Sequence, residues 1–130
     1  VQRPDLFNAA LIQVPLLDMF RYSKLLAGAS WIAEYGDPDI ESECEKLLSY
    51  SPYHNVRAGV RYPVPMFTTS TKDDRVHPAH ARKMAARMAE QGHGFYYYEN
   101  INGGHAGSAN GSESIRMHSL EYTYFWNRLR

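Results

Sequence analysis

The amino-acid pattern predicts an α/β protein, a mostly parallel sheet flanked by helices. Three observations carry this reading. Residues Val64 to Tyr98 read strand, helix, strand, the crossover unit of parallel sheets. A second short apolar run, Ala9-Ala10-Leu11-Ile12-Gln13-Val14, stops at Pro15 and reads as a buried strand. Two conspicuous polar turns, Asp73-Asp74-Arg75 and Gly103-Gly104-His105, follow the later strands. They lie at carboxyl ends, where parallel sheets bind ligands.

The elements follow in order. After the Ala9 strand, residues from about Leu17 to Trp31 are mixed and read as helical. Asp37 is the expected N-cap of the next helix, with Pro38 in its first turn. Ile40, Cys44, Leu47 and Leu48 recur at helical spacing and form one apolar face, which ends at Ser51-Pro52. Val64 to Ser70 is the next strand; Pro63 and Pro65 confine its start to an edge or to the strand entrance. Lys72 to Val76 is a charged turn. Pro78 opens a helix whose apolar face is Ala81, Met84, Ala85, Met88 and Ala89, and Gly92 closes it. Phe95 to Tyr98 is a strand by β-propensity, Gly103 to Gly107 a loop, and Glu113 to Leu129 a helix.

Composition excludes several functions. The 14 basic and 14 acidic residues cancel, which argues against a nucleic-acid partner held by bulk positive charge. Apolar residues at 44% supply a packed core and argue against a disordered chain. With 130 residues the chain is one domain. There is no run of about 18 apolar residues, so no membrane partner is expected. Cys44 has no second cysteine to pair with and reads as a buried thiol. A lone cysteine fits a reducing compartment; between cytoplasm and periplasm the compartment stays open, with the cytoplasm preferred. The chain opens Val1-Gln2-Arg3-Pro4-Asp5, without Met and without an apolar leader, and is expected to be part of something longer.

An acid on the loop after one strand and a His on the loop after the next is the geometry of a catalytic diad. The acid would fix one imidazole nitrogen, leaving the other to take a proton from a nucleophile. Asp73 and His105 also follow the acid-then-His chain order of α/β-hydrolases. On the residues alone, a solvated Asp73-Asp74 turn and an ordinary loop His105 are the readings that the spacing favours over a diad. No G-x-S-x-G elbow is present, and Ser30, Ser70 and Ser108 sit in no such frame. His77 and His80 lack a carboxylate or Cys partner nearby and are not read as a metal site. His54, His93 and His118 read as surface or interface histidines, and Met66, Met84 and Met88 as core.

The sequence nonetheless resembles the C-terminal part of the catalytic α/β-hydrolase domain of prolyl oligopeptidase family serine peptidases, bacterial ones most of all. The segments that carry the resemblance run in order: Gln2 to Phe7, Gln13-Val14 through Leu17-Asp18-Met19, Ala29-Ser30-Trp31 with Tyr35-Gly36, Tyr50 to Val56, Asp73-Asp74-Arg75-Val76, and Gly104-His105. The resemblance implies that residues 1–130 belong to one peptidase domain whose serine-bearing half and β-propeller are not in this sequence. It implies Asp73 as the triad acid and His105 as the general base. Arg75 would donate to a backbone carbonyl of the bound peptide, and Trp31 would stack on the substrate proline. Tyr35, Val76 and Leu16 would line the same pocket.

The implied substrate is a proline-containing oligopeptide and the implied partner the rest of the peptidase; no metal or organic cofactor is needed. The chain alone is expected to be inactive. Ala106 departs from the family pattern, in which a glycine commonly follows the His, and is expected to stiffen the loop; Ser23 stands where relatives often carry His and is given no role. Two other readings remain: a different peptide or ester specificity, and a non-catalytic assembly module. An unpaired sheet edge would lead such a module to self-associate.

Overall fold

The computed structural model describes residues 1–130. Its sheet has three parallel strands in the order β1 (Leu11–Gln13), β2 (Met66–Ser70) and β3 (Tyr96–Asn100). Leu11 lies opposite Met66, and Ser70 opposite Asn100. The parallel α/β class is therefore found, with β2 central and all five of its residues buried. Pro65 stands one residue before β2, where its missing N–H breaks no ladder bond, and its carbonyl accepts the Tyr96 N–H at 2.8 Å.

Successive β2 side chains point to opposite faces. On one face Phe67 packs with Leu17, Val56, Met84 and Met88, and Ile12, Phe95 and Tyr97 close around them. The covering helix is α4 (Ala79–Glu90), which buries Ala81, Met84, Ala85 and Met88 as their spacing predicts, whereas Ala89 is exposed. Past its end the Gly92 N–H bonds to the Ala89 carbonyl and the His93 N–H to that of Met88, with Gly92 at φ 78°. This is a Schellman stop. Arg82 of α4 pairs with Glu99 of β3 and, with the Thr71 and Tyr97 hydroxyls, holds that carboxyl down at about 2 against the effect of burial.

The other face carries α5 (Gly111–Leu129). Its Tyr124 meets Tyr96 edge-to-face at 5.9 Å. The Tyr124 hydroxyl donates to the Val64 carbonyl at 2.9 Å and accepts the Ala10 N–H at 2.7 Å. One side chain thus ties α5 to the entrances of two strands. Gln13, at the end of β1, donates to Glu121 at 2.7 Å.

Three expectations are corrected. Residues Leu17 to Trp31 are not one α-helix. They form 3₁₀ turns over Tyr22–Lys24 and Leu26–Trp31 that run into a short α1 (Ile32–Tyr35). The break lies at Leu25, which is extended, and Leu26, whose φ is +50°. Asp37 does not cap a helix: its carboxylate accepts the Asp39 N–H at 2.9 Å, closing a turn, and α2 (Glu41–Tyr50) begins beyond it. Only Leu47 of the predicted α2 face is fully buried; Ile40 is exposed and Cys44 half-buried.

The irregular stretch is held by a buried charge. The Asp18 carboxylate is fully buried against the Lys83 ammonium, with Arg21 Nη1 at 3.3 Å and His54 Nε2 at 3.8 Å. Burial alone would push this carboxyl up, but Lys83, His54 and Arg21 together hold it below its ordinary value. His54 is half-buried rather than superficial and bonds Ser51 at 2.8 Å, one residue before α3 (Pro52–Asn55). His80 is fully buried and accepts the Asp18 N–H on Nδ1 at 3.1 Å.

Burial pushes His80 down to about 4 from the ordinary 6.5. The unfolded chain takes up this proton near pH 6.5 and the folded chain only near 4, so stability falls as pH drops through that interval, by about 3 kcal/mol. The Asp18 contribution is lost only at more acid pH, below the ordinary carboxylate range. His80→Asn keeps an acceptor for the Asp18 N–H and removes the imidazole. Urea unfolding across this pH range should give a flatter stability profile for the variant; equal slopes would show that His80 contributes nothing to it.

Candidate active site

Two loops meet at the carboxyl end of the sheet. The first leaves β2 at Ser70 and carries Asp73; the second leaves β3 at Asn100 and carries His105. His105 Nδ1 lies 3.1 Å from Asp73 Oδ1 and 3.0 Å from Oδ2. The Asp73 side chain is fully buried and that of His105 is 34% exposed. Asp73 Oδ1 also accepts the backbone N–H groups of Arg75 and Val76, each at 2.9 Å. Those donors pin the carboxylate so that it meets the imidazole edge-on. A carboxylate on Nδ1 selects the tautomer with its proton there and leaves Nε2 free to accept one.

Beside His105 is a cavity of about 120 Å³, lined among others by Gln13, Val14, Thr68, Thr69 and Met117. Val14 has φ +39°, a strained conformation for a β-branched residue, and its N–H bonds to the Thr68 carbonyl at 2.8 Å. A larger apolar hollow of about 210 Å³, between Pro4, Ile12, Pro63 and Met88, shares no residue with the site.

The loop that presents His105 depends on close backbone packing. A Cβ on Gly103 would come within 2.6 Å of the Gly107 carbonyl oxygen. Gly107 takes φ +85°, against the Met117 side chain. The residue after the His needs no such freedom: Ala106 is exposed and does not have positive φ.

Of the remaining sequence candidates, Leu16 and Trp31 pack against the Met19–Tyr22–Leu47 cluster. Tyr35 is exposed at the surface and meets Tyr22 edge-to-face at 5.8 Å. These three therefore lie around one apolar cluster, the one that contains Tyr22. Val76 stands apart from that cluster, in the acid loop, half-buried. Arg75 extends from the same loop with its side chain exposed; its backbone alone engages Asp73.

Sequence reasoning missed Asn100 and Glu113. Asn100 is buried at the end of β3, and Glu113 stands in the first turn of α5. The Asn110-x-x-Glu113 spacing was the available signal: Asn110 Oδ1 accepts the Glu113 N–H at 3.0 Å as an N-cap. No group of three or more His, Cys, Asp or Glu is placed to hold a metal ion, and no helix is long and apolar enough to cross a membrane.

Residues 1–130 match the family model described as the prolyl oligopeptidase family. An uncharacterised peptidase of Sinorhizobium fredii is 61% identical over 129 residues, covering 99% of this chain and 18% of that protein. A prolyl endopeptidase of Elizabethkingia miricola is 51% identical over 87 residues, covering 66% of this chain and 12% of that one. The solved structure of a post-proline cleaving enzyme from Rickettsia typhi superposes with a TM-score of 0.95 at 38% identity, over 98% of this chain and 19% of its own. The chain spans less than a fifth of the length of each of these relatives.

Gly103→Ala forces two passes of the His105 loop apart and is expected to lower stability by about 1–3 kcal/mol. Ala106→Gly removes only an exposed methyl and is expected to change stability by less than about 1 kcal/mol. Thermal unfolding of the two variants side by side checks the contrast; a harmless Gly103→Ala would mean that the loop tolerates a wider path.

Proposed function

The chain belongs to the prolyl oligopeptidase family, and from that membership we propose that it supplies the acid and the base of a serine peptidase that cuts short peptides on the carboxyl side of proline. The observation that carries this reading is the Asp73–His105 contact, in which a buried, backbone-pinned carboxylate holds the Nδ1 edge of a partly exposed imidazole.

In this reading the serine comes from the remainder of the peptidase, which together with its propeller is the partner of this chain. Serine Oγ attacks the peptide carbonyl and gives its proton to His105 Nε2. Asp73 holds the resulting imidazolium. As the C–N bond breaks, His105 returns that proton to the departing amine. Water then enters, gives a proton to the same nitrogen and attacks the acyl carbon; the serine ester C–O bond breaks, His105 returns that proton to serine Oγ, and the acyl group leaves as a carboxylic acid. Strand β1 has a strand neighbour only on its β2 side. Its terminal Gln13 and the following Val14 line the cavity beside His105, which favours arrival of the serine from that side.

Trp31, with Tyr35, Leu16 and Val76, is assigned to the proline pocket. A flat apolar ring is gripped best by an aromatic face. An apolar lining also favours proline over a basic side chain, which would call for acids. Arg75 is assigned to a carbonyl of the bound peptide, for which its exposed, forked guanidinium is suited.

In the complete peptidase, Asp73→Asn and His105→Ala are each expected to lower kcat by about 10,000-fold. Trp31→Ala is expected to raise KM for proline peptides about tenfold, the worth of one lost stacking contact. The 130-residue chain by itself should not turn over a fluorogenic proline peptide. Activity retained in the Asp73 or His105 variants, or turnover by the chain alone, would sink the assignment.

A further inference from the structure

The Asn100 side chain makes every hydrogen bond an amide can make. Its Nδ2 donates to the Gly107 carbonyl at 2.9 Å and to Glu113 Oε2 at 2.9 Å. Its Oδ1 accepts the Asn102 N–H at 2.9 Å and the Gly103 N–H at 3.1 Å. Two donors and two acceptor sites are thus all engaged, which also fixes which end of the amide is nitrogen. The partners bracket His105: Asn102 and Gly103 precede it and Gly107 follows it. Glu113 extends the clamp, accepting from Asn102 Nδ2 at 3.2 Å and from the Ala109 N–H at 3.1 Å. The Asn100 bond, then the Ala109 and Asn102 bonds, hold the Glu113 carboxyl below its ordinary value, so it is a charged acceptor at neutral pH.

We propose that Asn100 is the positioning residue for His105, and that Asn100 and Glu113 together form a latch that holds the His105 loop at the distance from Asp73 the reaction requires. The proposal rests on the reading of His105 as the general base. Asn100 sits at the last position of β3, opposite Ser70, on the rigid part of the sheet. Asp73 is referenced to the same level, through its own N–H on the Ser70 carbonyl at 3.3 Å. The latch therefore refers both partners of the contact to one pair of strand residues. It touches neither the ring of His105 nor any reacting atom, so its loss acts through the placement of that ring.

The test uses the complete peptidase with a fluorogenic proline peptide. Asn100→Asp replaces a donor by a carboxylate facing the Gly107 carbonyl and Glu113. It should lower kcat about 100-fold, the cost of an ångström of misplacement, with KM within about threefold. The double variant Asn100→Asp with Glu113→Gln restores a donor against the new carboxylate and should recover about tenfold of the loss in kcat. Where Asn100→Asp does not fold, the uncharged Asn100→Ser, which keeps a single hydroxyl, should fold and lose about tenfold in kcat. His105→Ala is measured alongside. If His105→Ala is inactive while the Asn100 variants keep kcat within threefold, lose only KM, or show no recovery in the double variant, the latch is overturned and the base assignment stands. If His105→Ala keeps its activity, the base assignment falls and the latch with it.

Discussion

Ser70 and Asn100 lie opposite each other in the parallel pairing of β2 with β3, and both site loops depart from that level. The ladder continues one residue further, through the Thr71 N–H on the Asn100 carbonyl at 2.9 Å, before the chains diverge. The Asp73–His105 contact and the packing of β2 both depend on this register. A slip of one residue would turn Phe67 out of its apolar cluster and reverse every side chain of the strand. It would also separate Asp73 from His105. Burial of β2 on both faces is what makes such a slip costly, so the core that stabilises the sheet also sets the geometry of the contact.

The stretch between β1 and α2 solves a different problem. Without a regular helix its backbone groups need partners elsewhere. Ser51 Oγ donates to the Leu17 carbonyl and accepts the Met19 N–H, each at 3.1 Å. The Tyr53 N–H adds a second bond to the Leu17 carbonyl at 3.0 Å, and His80 takes the Asp18 N–H. The Asp18 carboxylate is then paired with Arg21 from its own stretch and with Lys83 from α4; Lys83 and, one turn further along α4, Arg87 also lie over the Tyr53 ring at 4.5 and 5.0 Å. A buried ion cluster of this kind is weak evidence for net stability. What it supplies here is a defined path for a segment that propensity leaves undefined, and that segment carries Trp31.

Strands and helices with a clear period were legible from the sequence. Met84 and Met88 on α4 announce themselves by their helical spacing; the apolar run of β1 announces a strand but not its burial, since only Leu11–Gln13 pairs, with Leu11 and Ile12 half-buried and Gln13 exposed at an edge with one strand neighbour. The Asp73–His105 pair was legible as a possibility, from loops after successive strands, and became specific through the resemblance to a family. The residues that organise the loops were not legible. Asn100 looks like an ordinary strand end, and its four partners lie at sequence separations without periodicity. His80 reads as a helix-start histidine, since nothing local says that Asp18 will present an N–H to it. Asp37 and Pro38 show the converse: good helix-start residues were claimed by a turn, because the Asp37 side chain found a nearer N–H.

The chain holds two tryptophans, and their settings differ sharply: Trp31 is half-buried against the Met19–Tyr22–Leu47 cluster, while Trp126 on α5 is 70% exposed. That contrast gives the molecule an intrinsic optical label. A water-borne collisional quencher such as iodide reaches the Trp126 indole first and silences the red-shifted part of the emission. The shorter-wavelength light that survives comes from Trp31. Fluorescence collected under quencher thus reports on the neighbourhood of one aromatic ring in the unmodified polypeptide.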